Sequence, residues 1–85
     1  MRYTIEITSS VHRELRALPS KMRERIAAKI EALGHNPFPP DVKKLKGEPA
    51  HFRVRVGDYR VIYRVHGDVL VIVIVRVAHR REAYR

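Results

Sequence analysis

Residues 51–66 read HFRVRVGDYRVIYRVH, and this stretch decides the fold. On both sides of Gly57-Asp58, apolar and polar side chains alternate with a period of two, as in a β-strand with one buried face. A two-residue connection that begins with glycine is typical of a type II′ turn between antiparallel strands. We therefore predict a β-hairpin whose strands are His51–Val56 and Tyr59–Val65.

The two-residue turn also determines which side chains share a face of the hairpin. Arg55 is expected to lie opposite Arg60, and Val54 opposite Val61. One face is then apolar, and the other, called here the arginine face, carries His51, Arg53, Arg55, Arg60 and Arg64. Like charges directly opposite each other destabilise a sheet. The face is either an anion-binding site or a solvated outer surface, and we favour the anion site because guanidinium planes match phosphate oxygens.

Two helices are predicted before this hairpin. Apolar residues recur at helical spacing over residues 11–18 and again over residues 22–33. The hydroxyl residues at 8–10 are candidate N-caps for the first helix, Ser20 is a candidate for the second, and Gly34 is expected to end it. Together they predict an αα-hairpin with one apolar side.

Strands at both ends complete the sheet. Residues 3–7 alternate like a half-buried strand, and Val69–Val77 forms the last strand after a second two-residue turn at Gly67-Asp68. The element order is therefore β-α-α-β-β-β. We predict an α+β fold with an antiparallel C-terminal meander and an α-helical hairpin packed on one face, in a single domain spanning residues 1–85.

The last strand begins with the apolar run VLVIVIV at residues 69–75. A two-residue turn would place Val71 opposite Arg64 and Val75 opposite Arg60, so a strip of valines would join the arginine face. The two helices cover only the other side of the sheet. Either the C-terminal tail and the proline-rich loop cover this valine strip, or a separate protein does.

The composition narrows the classes of function. The 85 residues include 18 Lys+Arg against 9 Asp+Glu, a net charge of +9, which suits a polyanionic partner such as nucleic acid. The absence of cysteine excludes disulfides and thiolate chemistry, and the five histidines lack metal-ligand spacing. We therefore expect no metal and no cofactor. No apolar run is long enough to span a membrane, and the first residues do not resemble a signal peptide, so a cytoplasmic protein is expected.

The chain ends in residue types that suit RNA chemistry. Residues 79–84 read HRREAY and begin two residues after Val77, the end of the last predicted strand. Histidine exchanges protons near neutral pH, arginine holds phosphate, and tyrosine stacks on a base or orients a hydroxyl. Such a tail is often only local packing, but its position beside the arginine face makes it a candidate site.

With these segments together, the chain resembles the RelE/ParE superfamily of toxins from type II toxin–antitoxin systems. The resemblance rests on KLKG at residues 44–47, FRVRVGDYRVIY at residues 52–63 and HRREAY at residues 79–84. Element order and length also agree, so the likeness extends over essentially the whole chain. It implies a RelE-like fold.

The resemblance to the RelE branch implies a ribosome-dependent endoribonuclease, an mRNA interferase that cuts mRNA in the ribosomal A site without a metal. The RNA 2′-OH attacks the adjacent phosphorus and leaves a 2′,3′-cyclic phosphate and a 5′-OH. This chemistry needs a base, cations for the developing charge and an acid. The resemblance implies catalytic roles for Arg60, Arg80 and Tyr84, and phosphate binding by Arg53 and Arg55.

The proton-transfer groups are less evident from the sequence. Some relatives carry lysine where this chain has Arg53 and Arg55, and a guanidinium stays protonated, so neither arginine is a general base. His79 is our candidate for acid or base, with His51 second. Lys43, Lys44 and Lys46 either contact RNA away from the cut or are simply solvated, and we select Lys44 and Lys46 as candidates for binding RNA phosphates.

Partners follow from the same resemblance. It implies an acidic, RelB-like cognate antitoxin that covers the basic sheet and the valine strip. It also implies contact with the ribosome and mRNA, and with promoter DNA only through the antitoxin complex. Two other functions remain open from the sequence: a ParE-like toxin that inhibits DNA gyrase, and a non-catalytic RNA-binding module.

Overall fold

The computed structural model describes residues 2–47 and 50–81. Within these residues the elements are β1 (Thr4–Ile7), α1 (Ser9–Arg16), α2 (Ser20–His35), β2 (Lys43–Leu45), β3 (His51–Val56), β4 (Tyr59–His66) and β5 (Val71–His79). The sheet order is β1-β5-β4-β3-β2, with β1 parallel to β5 and the other pairs antiparallel. The predicted α+β class and C-terminal meander are confirmed, and β2 is an additional strand.

Both helices pack on one face of the sheet. The side chains predicted to face the helices are buried there, including Val54, Val61, Ile72 and Ile74. The rest of this core comes mainly from α1, α2 and the other strand positions, namely Val11, Ile26, Ile30, Leu33, Val56, Tyr63 and Val77. Neither helix of the described chain is long and apolar enough to cross a membrane.

The helix starts differ in how they are capped. Thr8 is the N-cap of α1, where its hydroxyl accepts a hydrogen bond from the Val11 amide at 3.3 Å, as predicted for the hydroxyl residues there. Ser20 is not the N-cap of α2: Pro19 occupies that position without a side-chain hydrogen bond, and Ser20 is the first helical residue. The fixed φ of proline favours entry into the helix, but proline offers no side-chain acceptor for the free amides of the first turn.

Gly34 lies within the last turn of α2 and does not end it, contrary to the prediction. A Cβ at this position would be 3.1 Å from Cδ1 of Ile5, and the Gly34 carbonyl accepts a hydrogen bond from the Tyr3 amide at 2.8 Å. The glycine therefore allows β1 to approach α2 closely. This close approach is a tertiary contact, which helix-end patterns do not reveal.

The connection between β4 and β5 is longer than predicted. The turn spans residues 67–70, and His66 lies opposite Val71. Leu70 takes a left-handed φ of 55°, and its carbonyl accepts a hydrogen bond from the Thr4 amide at 2.8 Å. Pairing with β1 thus begins inside the turn, and the predicted two-residue turn at Gly67-Asp68 is wrong.

A β-bulge then interrupts the pairing of β4 with β5. Tyr63 lies opposite Ile74, but Ile62 lies opposite Arg76, so Val75 is an extra residue on β5. Because side chains alternate between the two faces of a strand, one extra residue exchanges the faces of everything that follows.

The bulge corrects the predicted faces of the end of β5. Arg60 lies opposite Ala78 and not opposite Val75. Val77 is buried in the core under the helices, whereas Arg76 and Ala78 lie on the side of the arginine face. Before the bulge, Arg64 lies opposite Val73, two residues away from the predicted partner Val71, which leaves the face unchanged.

Tyr63 anchors the proline-rich loop from inside the core. Its ring is fully buried, and its hydroxyl donates a hydrogen bond to the Pro37 carbonyl at 2.6 Å. Burial, and to a lesser degree the charge of Asp41, raises the pKa of Tyr63 well above the ordinary value. The phenol is therefore held in its neutral, donating form.

Tyr63 should stay protonated in the folded protein near pH 10, where an exposed tyrosine ionises. Above that pH the unfolded chain loses this proton while the folded chain keeps it, so the free energy of unfolding should fall as pH rises. Absorbance titration of tyrosinate in native and denatured protein measures the difference, and Tyr63→Phe should remove the late step. If Tyr63 ionised near pH 10 in the folded protein, the burial of its hydroxyl would be refuted.

Candidate anion-binding site

The β3–β4 hairpin brings two arginines face to face. Arg55 lies directly opposite Arg60, as predicted. At the turn, Gly57 has a φ of +58° while Asp58 does not take a positive φ, which is the pattern of a type II′ turn. Side chains in such opposite positions are about 5 Å apart at Cβ, so the two guanidinium groups are held on one rigid surface.

A pocket of about 130 Å³ opens at this end of the sheet. Its walls come from β3, the hairpin turn, β4 and the turn after β5, and the residues that line it are Arg55, Gly57, Asp58, Tyr59, Arg60 and Arg80. Three of the six are arginines and one is an acid. The local charge is therefore positive and suits a small anion.

Backbone hydrogen bonds hold Arg80 at the pocket. The Arg80 amide donates to the Asp58 carbonyl at 2.8 Å, which ties the end of β5 to the hairpin turn. The Arg60 Nη1 donates to the Arg80 carbonyl at 3.4 Å. Arg60 and Arg80 are twenty residues apart in sequence and adjacent in space.

Arg53 lies on the arginine face but outside this pocket. It is only 7% exposed and lies opposite Ile62 on β4 and opposite Lys43 on β2. The buried pair Ile62 and Ala78 forms an apolar centre on the same face, against which Leu45 and Val75 pack. The arginine face thus combines cations with a small apolar centre.

The lysines before β3 do not share one face of the sheet. Lys43 lies opposite Arg53 and so shares the arginine face. Lys44 lies opposite Phe52, on the face that the helices cover, and Lys46 follows the end of β2. Only the alternation of side chains along β2 could have shown which lysine shares the arginine face, and β2 is three residues long.

His79 lies on the other side of the sheet from the pocket. It is opposite Tyr59, and the two rings meet edge to face with centroids 5.4 Å apart. Tyr59 packs against the core under the helices, and the His79 Nδ1 accepts a hydrogen bond from the Arg81 amide at 3.3 Å. The bulge in β5 causes this placement, since without the extra residue His79 would share the face of Arg60.

The remaining candidates are not brought to the pocket. His51 lies at the start of β3, four residues before Arg55 and hence about 13 Å along the strand. Tyr84 lies outside the described residues. Among the described residues, no group of three His, Cys, Asp or Glu side chains could hold a metal ion.

Comparison with known proteins gives the family. Residues 5–84 match the family described as ParE toxin of type II toxin–antitoxin system, parDE. The chain belongs to this family of toxins. The toxin is 37% identical to toxin RelE3 of Methanocaldococcus jannaschii, over 85% of this chain and 84% of that one. It is 36% identical to toxin RelG of Mycobacterium tuberculosis, over 100% and 99% of the two chains.

A solved structure shares the fold of the toxin. The archaeal RelE–RelB complex from Pyrococcus horikoshii OT3 contains a chain that superposes with a TM-score of 0.85 and 35% identity. The match covers 98% of the toxin and 100% of that chain. The two helices and the five-stranded mixed sheet are therefore those of the RelE fold, as the resemblance implied.

Proposed function

We propose that the toxin is a ribosome-dependent endoribonuclease that cleaves mRNA in the ribosomal A site by attack of the RNA 2′-OH, without a metal. The observation that carries this proposal is the pocket shared by Arg55, Arg60 and Arg80. Its volume of about 130 Å³ suits a single phosphate group, and a backbone hydrogen bond fixes Arg80 at its wall.

The arginines supply the electrostatic part of the reaction. Attack by the 2′-OH adds negative charge to the oxygens on phosphorus, and positioned donors stabilise that charge most in the transition state. A guanidinium keeps its charge throughout the physiological pH range. We assign Arg60 and Arg80 to the transition state, Arg55 to the bound phosphate and Arg53 to RNA binding beside the pocket.

Proton transfer is not assigned to His79. Its ring lies against Tyr59 on the helix side of the sheet, whereas Arg60 lies on the other face. The support that the sequence lent to this residue depended on an uninterrupted β5. Tyr84, which the resemblance places among the catalytic groups, remains the candidate for orienting the substrate.

His79→Ala should therefore lower mRNA cleavage much less than the roughly 100-fold loss that follows removal of a general acid or base. The small change expected comes from the lost contact with Tyr59. Cleavage rates of the variant and the wild type at several pH values measure the effect. A loss above about 100-fold, with a flattened pH profile, would return His79 to the catalytic set.

The function is tested by translation-dependent mRNA cleavage. Purified toxin is added to ribosomes programmed with a defined mRNA, and in parallel to the same mRNA without ribosomes. We expect cuts in the A-site codon, only with ribosomes, with 2′,3′-cyclic phosphate and 5′-OH ends. Ribosome-bound mRNA that stays intact while the toxin still stops growth would contradict the proposal.

A second candidate function rests on the family match. The matching family is described as ParE toxin, and a ParE-like toxin that inhibits DNA gyrase needs no RNA-cleaving site. DNA breaks without mRNA cuts would favour it. Normal growth on overexpression without a partner would favour the non-catalytic RNA-binding module.

We also propose that an acidic, RelB-like antitoxin covers the arginine face. The relative from Pyrococcus horikoshii was solved with RelB, and the net charge of +9 favours an acidic partner here. The apolar centre at Ile62 and Ala78 offers such a partner a dry contact beside the arginines.

The affinity of this antitoxin should fall as ionic strength rises, because binding brings its carboxylates to exposed guanidinium groups that salt screens. Titration calorimetry over a series of salt concentrations measures the slope. Arg60→Ala should flatten it, whereas Arg13→Ala, on the outer side of α1, should not. An affinity that does not change with salt would refute the proposed interface.

A further inference from the structure

Arg76 reaches the arginine face only because of the bulge in β5. It lies opposite Ile62, while its neighbour Val77 is buried under the helices. In the same row across the sheet, Arg53 lies on the other side of Ile62, and Lys43 lies beyond Arg53. The cations of this face therefore extend in a second row beside the pocket.

Glu14 holds the part of β5 that carries Arg76. The pairing of β1 with β5 ends at Ile7 opposite Ile74, so the next residues of β5 have no strand on that side among the described residues. Glu14, on α1, fills this place: its Oε1 accepts a hydrogen bond from the Val77 amide at 2.9 Å. The bulged end of β5 is thereby fixed to the helical layer.

The second oxygen of Glu14 faces Arg76 itself. Oε2 of Glu14 is 3.8 Å from the Arg76 Nε, and the two side chains are 30% and 39% exposed. Carboxylate–guanidinium pairs with this exposure contribute little to stability, so Glu14 does not neutralise Arg76, and its contact through Nε leaves the rest of the guanidinium to a phosphate. The side chain is thus oriented before RNA binds, which lowers the entropy that binding must overcome.

We propose that Arg76 is a further RNA-phosphate-binding residue of the toxin and that Glu14 is its positioning residue. This inference rests on the proposed function. The pocket at Arg60 holds the linkage that is cut, and Arg76 binds a neighbouring phosphate of the same strand. Glu14 acts through Arg76 and does not touch the RNA.

The test is the salt dependence of RNA binding, measured off the ribosome with a short single-stranded 2′-O-methyl RNA that has no free 2′-OH to attack. The slope of log affinity against log salt changes by about 0.7 for each phosphate contact to a single strand. Arg76→Gln should therefore make the slope shallower by about 0.7, and Arg76→Lys should restore it. Arg16→Gln, which removes the same charge from α1, should leave the slope within about 0.2 of the wild type.

Glu14 is tested through its coupling to Arg76. In the Glu14→Ala background, Arg76→Gln should change the slope by less than half as much as it does in the wild type. Melting curves identify any variant that fails to fold. If Arg76→Gln fails, Arg76→Lys, which keeps the charge, replaces it in the comparison of the two backgrounds. An equal effect in both backgrounds would overturn the role of Glu14, and equal slopes for Arg76→Gln and wild type would overturn that of Arg76.

These outcomes are separate from those of the cleavage assay. A toxin that cuts no mRNA but shows the predicted slopes would retain Arg76 as a binding residue and lose the nuclease function. A toxin that cuts mRNA but shows no slope change in Arg76→Gln would retain the nuclease function and lose this inference. Absence of any RNA binding by the wild type would also overturn the inference.

Discussion

Arg60→Ala should lower the rate of ribosome-dependent mRNA cleavage about 100- to 1000-fold, the loss typical when one transition-state donor is removed. Arg60 lines the pocket together with Arg55 and Arg80, and its Nη1 donates to the Arg80 carbonyl. The substitution therefore removes one guanidinium and also loosens the placement of another. Primer extension on ribosome-bound mRNA, with a time course for each variant, measures the change.

The same substitution should leave the free energy of unfolding within about 0.5 kcal/mol of the wild type. Removing Arg60 relieves its repulsion with Arg55, which opposes the loss of the bond to Arg80. Arg13→Ala is the matched control, because it removes an exposed arginine from α1 and should keep full activity. Equal losses in both variants would mean that total charge matters and that this pocket does not.

Gly57→Val should lower the free energy of unfolding by about 2–4 kcal/mol, the sum of left-handed backbone strain and overpacking. Gly57 has a φ of +58°, and a Cβ there would lie 3.2 Å from Cε of Met22. A β-branched residue is especially unfavourable at such a φ. Because the turn separates Arg55 from Arg60, its distortion should also reduce mRNA cleavage. Urea unfolding and the cleavage assay measure the two effects.

Gly67→Val is the matched control for the turn. Gly67 does not have a positive φ, and a Cβ there would meet no atom within 4 Å. We expect a stability change within about 0.5 kcal/mol and unchanged cleavage. Similar destabilisation by both substitutions would show that the left-handed backbone at Gly57 is not what the hairpin depends on.

The pairing of Arg55 with Arg60 could be predicted because a short turn between two alternating strands leaves one register. The arginines of β3 lie at positions 53 and 55 and those of β4 at positions 60 and 64, so a shift by one residue would bury arginines. The same reasoning placed Val54 and Val61 in the core correctly. Local sequence patterns were sufficient to predict strand register wherever polar and apolar side chains alternated clearly and the turn was short.

The side of the sheet on which His79 lies could not be predicted in this way. The extra residue at Val75 falls at the end of the run VLVIVIV, where both faces are apolar and no alternation reveals an insertion. Arg76 was missed for the same reason. The two errors have one physical cause, since a bulge exchanges the faces of all residues that follow it.

The positions of Lys43 and Arg80 depend on contacts between distant parts of the chain. β2 is three residues long, and its pairing with β3 decides that Lys43 and not Lys44 shares the arginine face. Arg80 is held by a hydrogen bond to the Asp58 carbonyl, more than twenty residues away. Propensity and periodicity describe local structure, so they do not predict such contacts.

The account depends most on the binding of one RNA phosphate by Arg55, Arg60 and Arg80. The most direct test records the Nε–Hε resonances of arginine in ¹⁵N-labelled toxin during titration with the 2′-O-methyl RNA. We predict that these three arginines show the largest shifts and saturate together, and that Arg13 and Arg16 on α1 do not move. Largest shifts at the α1 arginines, with Arg60 unchanged at saturation, would contradict the account.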